Sequence, residues 1–164
     1  MQTMTGPCTA RLAGAALTLM LPAAATAQEH TFVLHHFLSA QAPAHTRMLV
    51  PWAERVAELS QGRIAIEVFP AMTLGGTPPE LAAQVRDGVV DIAWTVNGYT
   101  PGLHPRSEVM ELPGVYGNDA RAAGLALHDM RDALAADYAG VHLLWLHTHG
   151  GHALQTRDRA LRSP

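Results

Sequence analysis

Lysine is absent from this 164-residue chain, whose eleven Lys and Arg residues are all arginine. Setting residues 1–27 aside leaves ten arginines against fourteen acidic residues, a net −4 that argues against a nucleic-acid partner. Cysteine is nearly absent. Cys8 stands before the first apolar run and away from any cleavage point, so it is neither a lipid-attachment residue nor available for a disulfide framework downstream. Export without cysteines suits a bacterial periplasm better than the open exterior, where small domains usually carry disulfides. Long hydrophobic runs are also lacking. Residues 12–21 are too short for a span of ~20 residues and no second run of that length follows, so no membrane insertion of the mature chain is expected. Nor does the sequence hold a Gly-x-Ser-x-Gly elbow or a recognisable carboxylate pair, which leaves hydrolase chemistry without support.

Arg11, the apolar run after it and Ala25-Thr26-Ala27 form the three parts of a secretory signal peptide. Cleavage is predicted after Ala27, delivering residues 28–164 to the periplasm. A chain of that length suits one domain with its own core and is too short for two ordinary ones.

The hydropathy pattern predicts alternating strands and helices. Residues 31–37 (TFVLHHF) read as a first strand, with a helix after it carrying Met48, Trp52, Val56 and Leu59 on one stripe and ending at Gly62. Pro51 lies inside that helix and predicts a kink or two pieces. Residues 63–69 (RIAIEVF) form a second strand. Gly75-Gly76 then lead to Thr77 as N-cap, Pro78 at the first helical position and Glu80 three residues after the cap, with Leu81 and Val85 facing inward and Gly88 as the stop. The near-continuous apolar stretch 89–96 predicts a third strand covered on both faces. Asn118 is placed to cap a helix bearing Leu127, Met130 and Leu134, stopped by Gly140, and residues 141–147 (VHLLWLH) predict a further strand. The order implies an α/β fold with a mainly parallel sheet and flanking helices.

Open sheets of this kind gather ligands at the carboxyl ends of their strands. Here those ends are His35-His36-Phe37, residues 69–76, residues 94–99 and residues 147–152, which together predict a cleft with aromatic walls, amide and imidazole groups and glycine loops. The last segment, HTHGGH, holds His147, His149 and His152 within six positions and supports an alternative reading as a periplasmic metal-binding protein. Zinc takes such imidazoles, usually three or four protein ligands at a time. Against a metal, no cysteine exists there and no acidic residue stands between Asp137 and Asp158.

The stretch GRIAIEVFPAMTLGGTPPELAAQVRDGVVDIAWTVNGYTPGLHP, together with SEVMELPGVYG, resembles the periplasmic solute-binding subunit of TRAP transporters, the DctP type, and the resemblance runs from about His30 to Pro164. It implies a periplasmic-binding-protein-like receptor, not an enzyme and needing no cofactor, that captures a small organic acid for membrane permease subunits driven by an ion gradient. It also divides the chain into a signal peptide (1–27), a first α/β domain (28–150) and the start of a crossing segment (151–164) to a second domain that is mostly missing. In the family, an arginine after a Pro-x-x-Leu-x-Gly segment holds the ligand carboxylate. This chain stops at Arg162-Ser163-Pro164, where that segment would begin, so impaired binding is an expectation. A guanidinium's paired donors are not easily replaced by a neutral cleft.

Under this resemblance the ligand-binding candidates are His36, Phe37, Trp94, Asn97, Tyr99, His149 and His152. The bland alternatives are that Trp94 is core and that Asn97-Gly98 is only a turn. Adjacent strand residues face opposite ways, so one of His35 and His36 at most meets ligand. Near the crossing, the histidines are expected to donate hydrogen bonds to an organic acid.

Overall fold

A computed structural model describes residues 28–150 and 156–157. The predicted signal peptide, its cleavage site, His152 and nearly all of the crossing segment lie outside the described residues. Three strands form one parallel sheet: β1 (His30–His36), β2 (Ile64–Phe69) and β3 (Ile92–Trp94). Their order is β2-β1-β3, with Leu34 opposite both Val68 and Ile92, and His36 opposite Trp94. The α/β class and parallel sheet expected from the sequence are therefore present.

Order and handedness together locate the crevice. From β1 the chain crosses through helix α1 (Val50–Leu59) to β2 on one side, then through α2 (Leu81–Arg86) back over β1 to β3 on the other. Right-handed crossovers running in opposite directions put their helices on opposite faces of the sheet. The two histidines of β1 report this. His35 Nδ1 lies 2.8 Å from Gln84 Oε1 on α2, whereas His36 Nε2 lies 2.9 Å from His45 Nδ1 in the segment leading into α1. The switch point is thus between the carboxyl ends of β1 and β3, where α/β sheets open a crevice.

Pro51 acts as expected, and the local solution is a π turn. Residues His45–Leu49 wind as a π-helix whose last carbonyl-to-amide step joins Val50 N–H to His45 O, and α1 follows with Pro51 in its first turn. A proline there needs no donor of its own, so the wide turn before it absorbs the mismatch. The buried side of the helix differs from the predicted stripe. Leu49, Ala53 and Ser60 are buried, while Leu59 is 68% exposed. Small Ala53 lets the helix approach β2. Ser60 can be buried because its hydroxyl accepts the Ile64 N–H at 3.0 Å and donates to Ala57 O at 3.1 Å.

Thr77 and Glu80 form the expected capping box, the Glu80 carboxylate accepting the Thr77 N–H at 2.6 Å and its hydroxyl at 2.8 Å. These bonds hold the Glu80 carboxyl below its usual range. The entry is a 3₁₀ turn, Pro78–Glu80, followed by α2 with Leu81 fully buried.

Three expectations differ in detail. The third strand is short: only residues 92–94 pair, Val90 is buried and Val89 is 66% exposed, because Gly88 (φ +71°) turns the chain before the sheet. The helical region after residue 118 is capped by Asp119, which accepts the Arg121 and Ala122 N–H groups, while Asn118 takes a left-handed turn before it. That region breaks at Met130 into α3 (Ala120–Asp129) and α4 (Arg131–Leu134), so Leu127 and Leu134 are buried but Met130 is half exposed. Residues 141–147 form no strand, although they alternate in burial. The three-residue β3 offers too short an edge for a fourth parallel strand. Instead Arg131 donates to Leu143 O at 2.8 Å and Trp145 packs edge-on against Trp52, ring centres 5.1 Å apart.

Candidate functional site

At the switch point the side chains of β1 and β3 continue as an aromatic cluster. Phe37 lies parallel to Trp94 with ring centres 5.3 Å apart, and Tyr99 meets Phe37 edge-on at 5.2 Å. His36 presents its ring perpendicular to Trp94 at 6.2 Å. Such pairs contribute about 0.5–1.5 kcal/mol each beyond the area they bury. Phe37 and Trp94 are half-buried and Tyr99 is 38% exposed, so the cluster has a face open to solvent.

Two loops hold the ends of the strands in place. After β2 the chain folds back on β1, with Ala71 N–H donating to Leu38 O at 2.8 Å and Met72 N–H to His36 O at 3.1 Å. That strap requires Ala71 and Met72 to adopt φ of +53° and +56° in succession, a conformation costing roughly 1–2 kcal/mol per residue. Beyond β3, Asn97–Tyr99 form a 3₁₀ turn carrying Tyr99. The Asn97 amide donates to the Tyr138 hydroxyl at 2.9 Å, and Tyr138 stacks on His104 at 4.4 Å. Burial pushes the Tyr138 phenol up from its ordinary value. Asn97 is therefore a bracing residue with its amide turned to residue 138.

His36 is fully buried. One ring nitrogen meets His45 and the other, Nδ1, is a buried atom without a partner. Burial first, then the neighbouring His45 and His35, lower its pKa to about 4, so it is a neutral imidazole at neutral pH. His147 joins the cluster from the extended segment. Trp94 Nε1–H donates to His147 Nε2 at 2.8 Å, and the two ring planes agree within 12°. Trp is donor only, so Nε2 is the bare nitrogen and the His147 proton sits on Nδ1.

That bond bears directly on the histidine cluster of the sequence. The Nε2 lone pair of His147 is already engaged, and His149 is exposed with its carbonyl accepting the Tyr116 hydroxyl at 3.0 Å. Among the described residues no group of three or more His, Cys, Asp or Glu side chains is arranged to hold a metal. The structure thus brings together His36, Phe37, Trp94 and Tyr99, adds His147 and sets Asn97 behind them. His45 and Tyr138 had not been singled out as parts of this site. His147 had been placed at the cleft by its position at the end of an apolar run and in the alternative metal cluster, and here it bonds Trp94.

The comparisons with known proteins agree with this geometry. The model of the bacterial extracellular solute-binding protein family 7, DctP, matches residues 34–164. A TRAP solute-binding protein from a marine metagenome, specific for aromatic acid ligands and solved with 3-hydroxybenzoate, is 42% identical with a TM-score of 0.71, over 76% of this chain and 39% of that one. The TRAP solute-binding protein of Rhodoferax ferrireducens, solved with copurified benzoate, is 38% identical with a TM-score of 0.68, over 74% of this chain and 38% of that one. The outer membrane transporter protein TsaT of Comamonas testosteroni is 34% identical over 117 residues, 71% of this chain and 34% of its own length. This chain therefore spans between about a third and two-fifths of these relatives. With the family match reaching across most of its length and the parallel sheet and its switch point in place, the chain belongs to the DctP family of bacterial extracellular solute-binding proteins.

Proposed function

We propose that this chain is the first domain of a periplasmic receptor that captures an aromatic carboxylate for a TRAP-type, ion-gradient-driven permease. The observation that carries the reading is the parallel Phe37–Trp94 pair, edged by Tyr99, at the carboxyl ends of β1 and β3. A flat apolar ligand gains most from such a wall, since aromatic faces favour offset or edge contact with another ring. The identity to receptors solved with 3-hydroxybenzoate and benzoate supports the same class of solute. His147, held by the Trp94 Nε1–H at its Nε2, leaves its Nδ1–H as a polar group beside the rings. A receptor of this kind binds and releases its solute unchanged, so no catalytic role is assigned. No helix of the described residues is long and apolar enough to cross a membrane.

Trp94 supplies the assay. Benzoate, 3-hydroxybenzoate and mandelate are titrated into the chain while indole fluorescence is followed, with succinate as the aliphatic control and Trp94→Phe as the silent control. Aromatic acids are expected to change the emission in a saturable way that Trp94→Phe abolishes. Saturable binding of succinate with none of benzoate refutes the proposed solute class.

A further inference from the structure

The segment following Tyr99 is built from carboxylates clamped on backbone N–H groups. Glu108 accepts from Gly102 N–H at 3.0 Å and His104 N–H at 3.1 Å, and these bonds hold its carboxyl below the ordinary range. Asp137 accepts from Arg106 N–H at 2.8 Å and Ser107 N–H at 2.9 Å. Together they anchor the 3₁₀ helix Ser107–Glu111, whose last residue returns to the aromatic cluster. There Glu111 Oε1 accepts the Gly98 N–H at 2.8 Å. Gly98 sits in the first turn of the Asn97–Tyr99 helix, where a backbone donor has no partner within the helix, so an outside acceptor is needed to hold the turn.

A second observation is independent of that bond. A Cβ built on Gly98 would fall 2.0 Å from Glu111 Oε2 and 3.0 Å from its Cδ, so the carboxylate lies flat over the glycine. Gly98 is not among the residues with positive φ. Its lack of a side chain therefore serves the approach of Glu111 and not an unusual backbone shape.

We propose that Glu111 is a positioning residue for the aromatic wall: its carboxylate, seated on Gly98, sets where the Tyr99 ring stands against Phe37. The role in ligand binding rests on the aromatic-acid reading above. The geometric role does not. Glu111 is exposed and bonds Gly98 through its carboxylate, so its replacement leaves the core of the fold untouched.

The test uses the 164-residue chain with Glu111→Ala, Glu111→Gln, Gly98→Ala and the Gly98→Ala/Glu111→Ala pair. In the ligand-free chain the Gly98 amide (where glycine is retained) and Tyr99 ring resonances are followed by NMR. Glu111→Ala and Gly98→Ala are each expected to move the Tyr99 ring signals, because a methyl at residue 98 pushes the carboxylate off its seat. The double variant should move them no further, and Glu111→Gln, which keeps an acceptor, should stay near the parent. Benzoate affinity should fall on the order of tenfold for Glu111→Ala and recover largely with Gln, as a charge-assisted bond to a backbone donor predicts. Unmoved Gly98 and Tyr99 signals in Glu111→Ala, or additive shifts in the double variant, overturn the proposal. If the parent binds no benzoate, the solute reading fails while the resonances still decide the role of Glu111.

Discussion

Acidification is the perturbation that this fold should register most clearly, through His36. In the unfolded chain its imidazole titrates near the ordinary 6.5; in the folded chain burial and the facing His45 lower it to about 4. Above the unfolded value the ring is neutral in both states and the folded chain keeps its full stability. As the pH falls through 6.5 the unfolded chain takes up a proton that the folded one refuses, so stability declines until about pH 4, where both states are charged. At about 1.4 kcal/mol per decade that window is worth on the order of 3 kcal/mol, a large part of the ~5–15 kcal/mol of a small domain. The groups against the ring are His45 from the π turn, His35 from the same strand and the uncharged Trp94 from β3, none of which offsets a positive charge. Glu80 and Glu108 lose their contributions only below the ordinary carboxylate value of 4.5, so the two effects separate along the pH axis. Urea unfolding at half-unit steps from pH 7.5 to 4, for the parent and for His36→Gln, isolates the contribution of His36. The parent should lose roughly 3 kcal/mol more across that range than the variant, and direct NMR titration of the His36 ring gives the same answer if the variant does not fold. Equal slopes in the two proteins, or a folded His36 that titrates near 6.5, refute the reasoning.

Two further outcomes follow from hydrogen bonds made by single side chains. Trp94→Phe removes the donor facing His147 Nε2 and should cost about 1 kcal/mol of stability, with the His147 nitrogens losing their fixed tautomer in a ¹⁵N spectrum. Asp137→Ala strips partners from Arg106 N–H, Ser107 N–H and the Ser107 hydroxyl at once, and because the carboxylate is buried this should cost roughly 2–3 kcal/mol. Amide exchange at residues 106 and 107 should speed up by more than at Gly98, which keeps its own acceptor.

Much of the framework was legible because its signals are local. β1 and β2 lie within a residue of their predicted bounds, since apolar β-branched runs between turn residues specify strands over six or seven positions. The Thr77–Glu80 box and the break near Pro51 were readable for the same reason: a cap, or a missing N–H, acts within one turn. Residues 141–147 misled because alternation describes a half-buried extended segment equally well whether or not a neighbouring strand offers a ladder. Leu59 misled because the buried side of α1 is chosen by how closely Ala53 and Ser60 let it approach the sheet. Of the site, Phe37, Trp94 and Tyr99 were readable as residues at strand ends, and His36 was distinguishable from His35 only as one of two opposite faces.

Residue order by itself determined the α/β class, the strand ends that converge and the family to which the chain belongs, all of which rest on patterns a few residues long or on their succession. Tertiary structure alone decided that His147 serves Trp94 from 53 residues away, that Glu111 seats on Gly98 across 13, and that His36 is buried against His45 with one nitrogen unpartnered. The physical reason is directional. A hydrogen bond is set by where two polar atoms point once the sheet order β2-β1-β3 has brought their segments together, and no periodicity in the chain encodes that meeting.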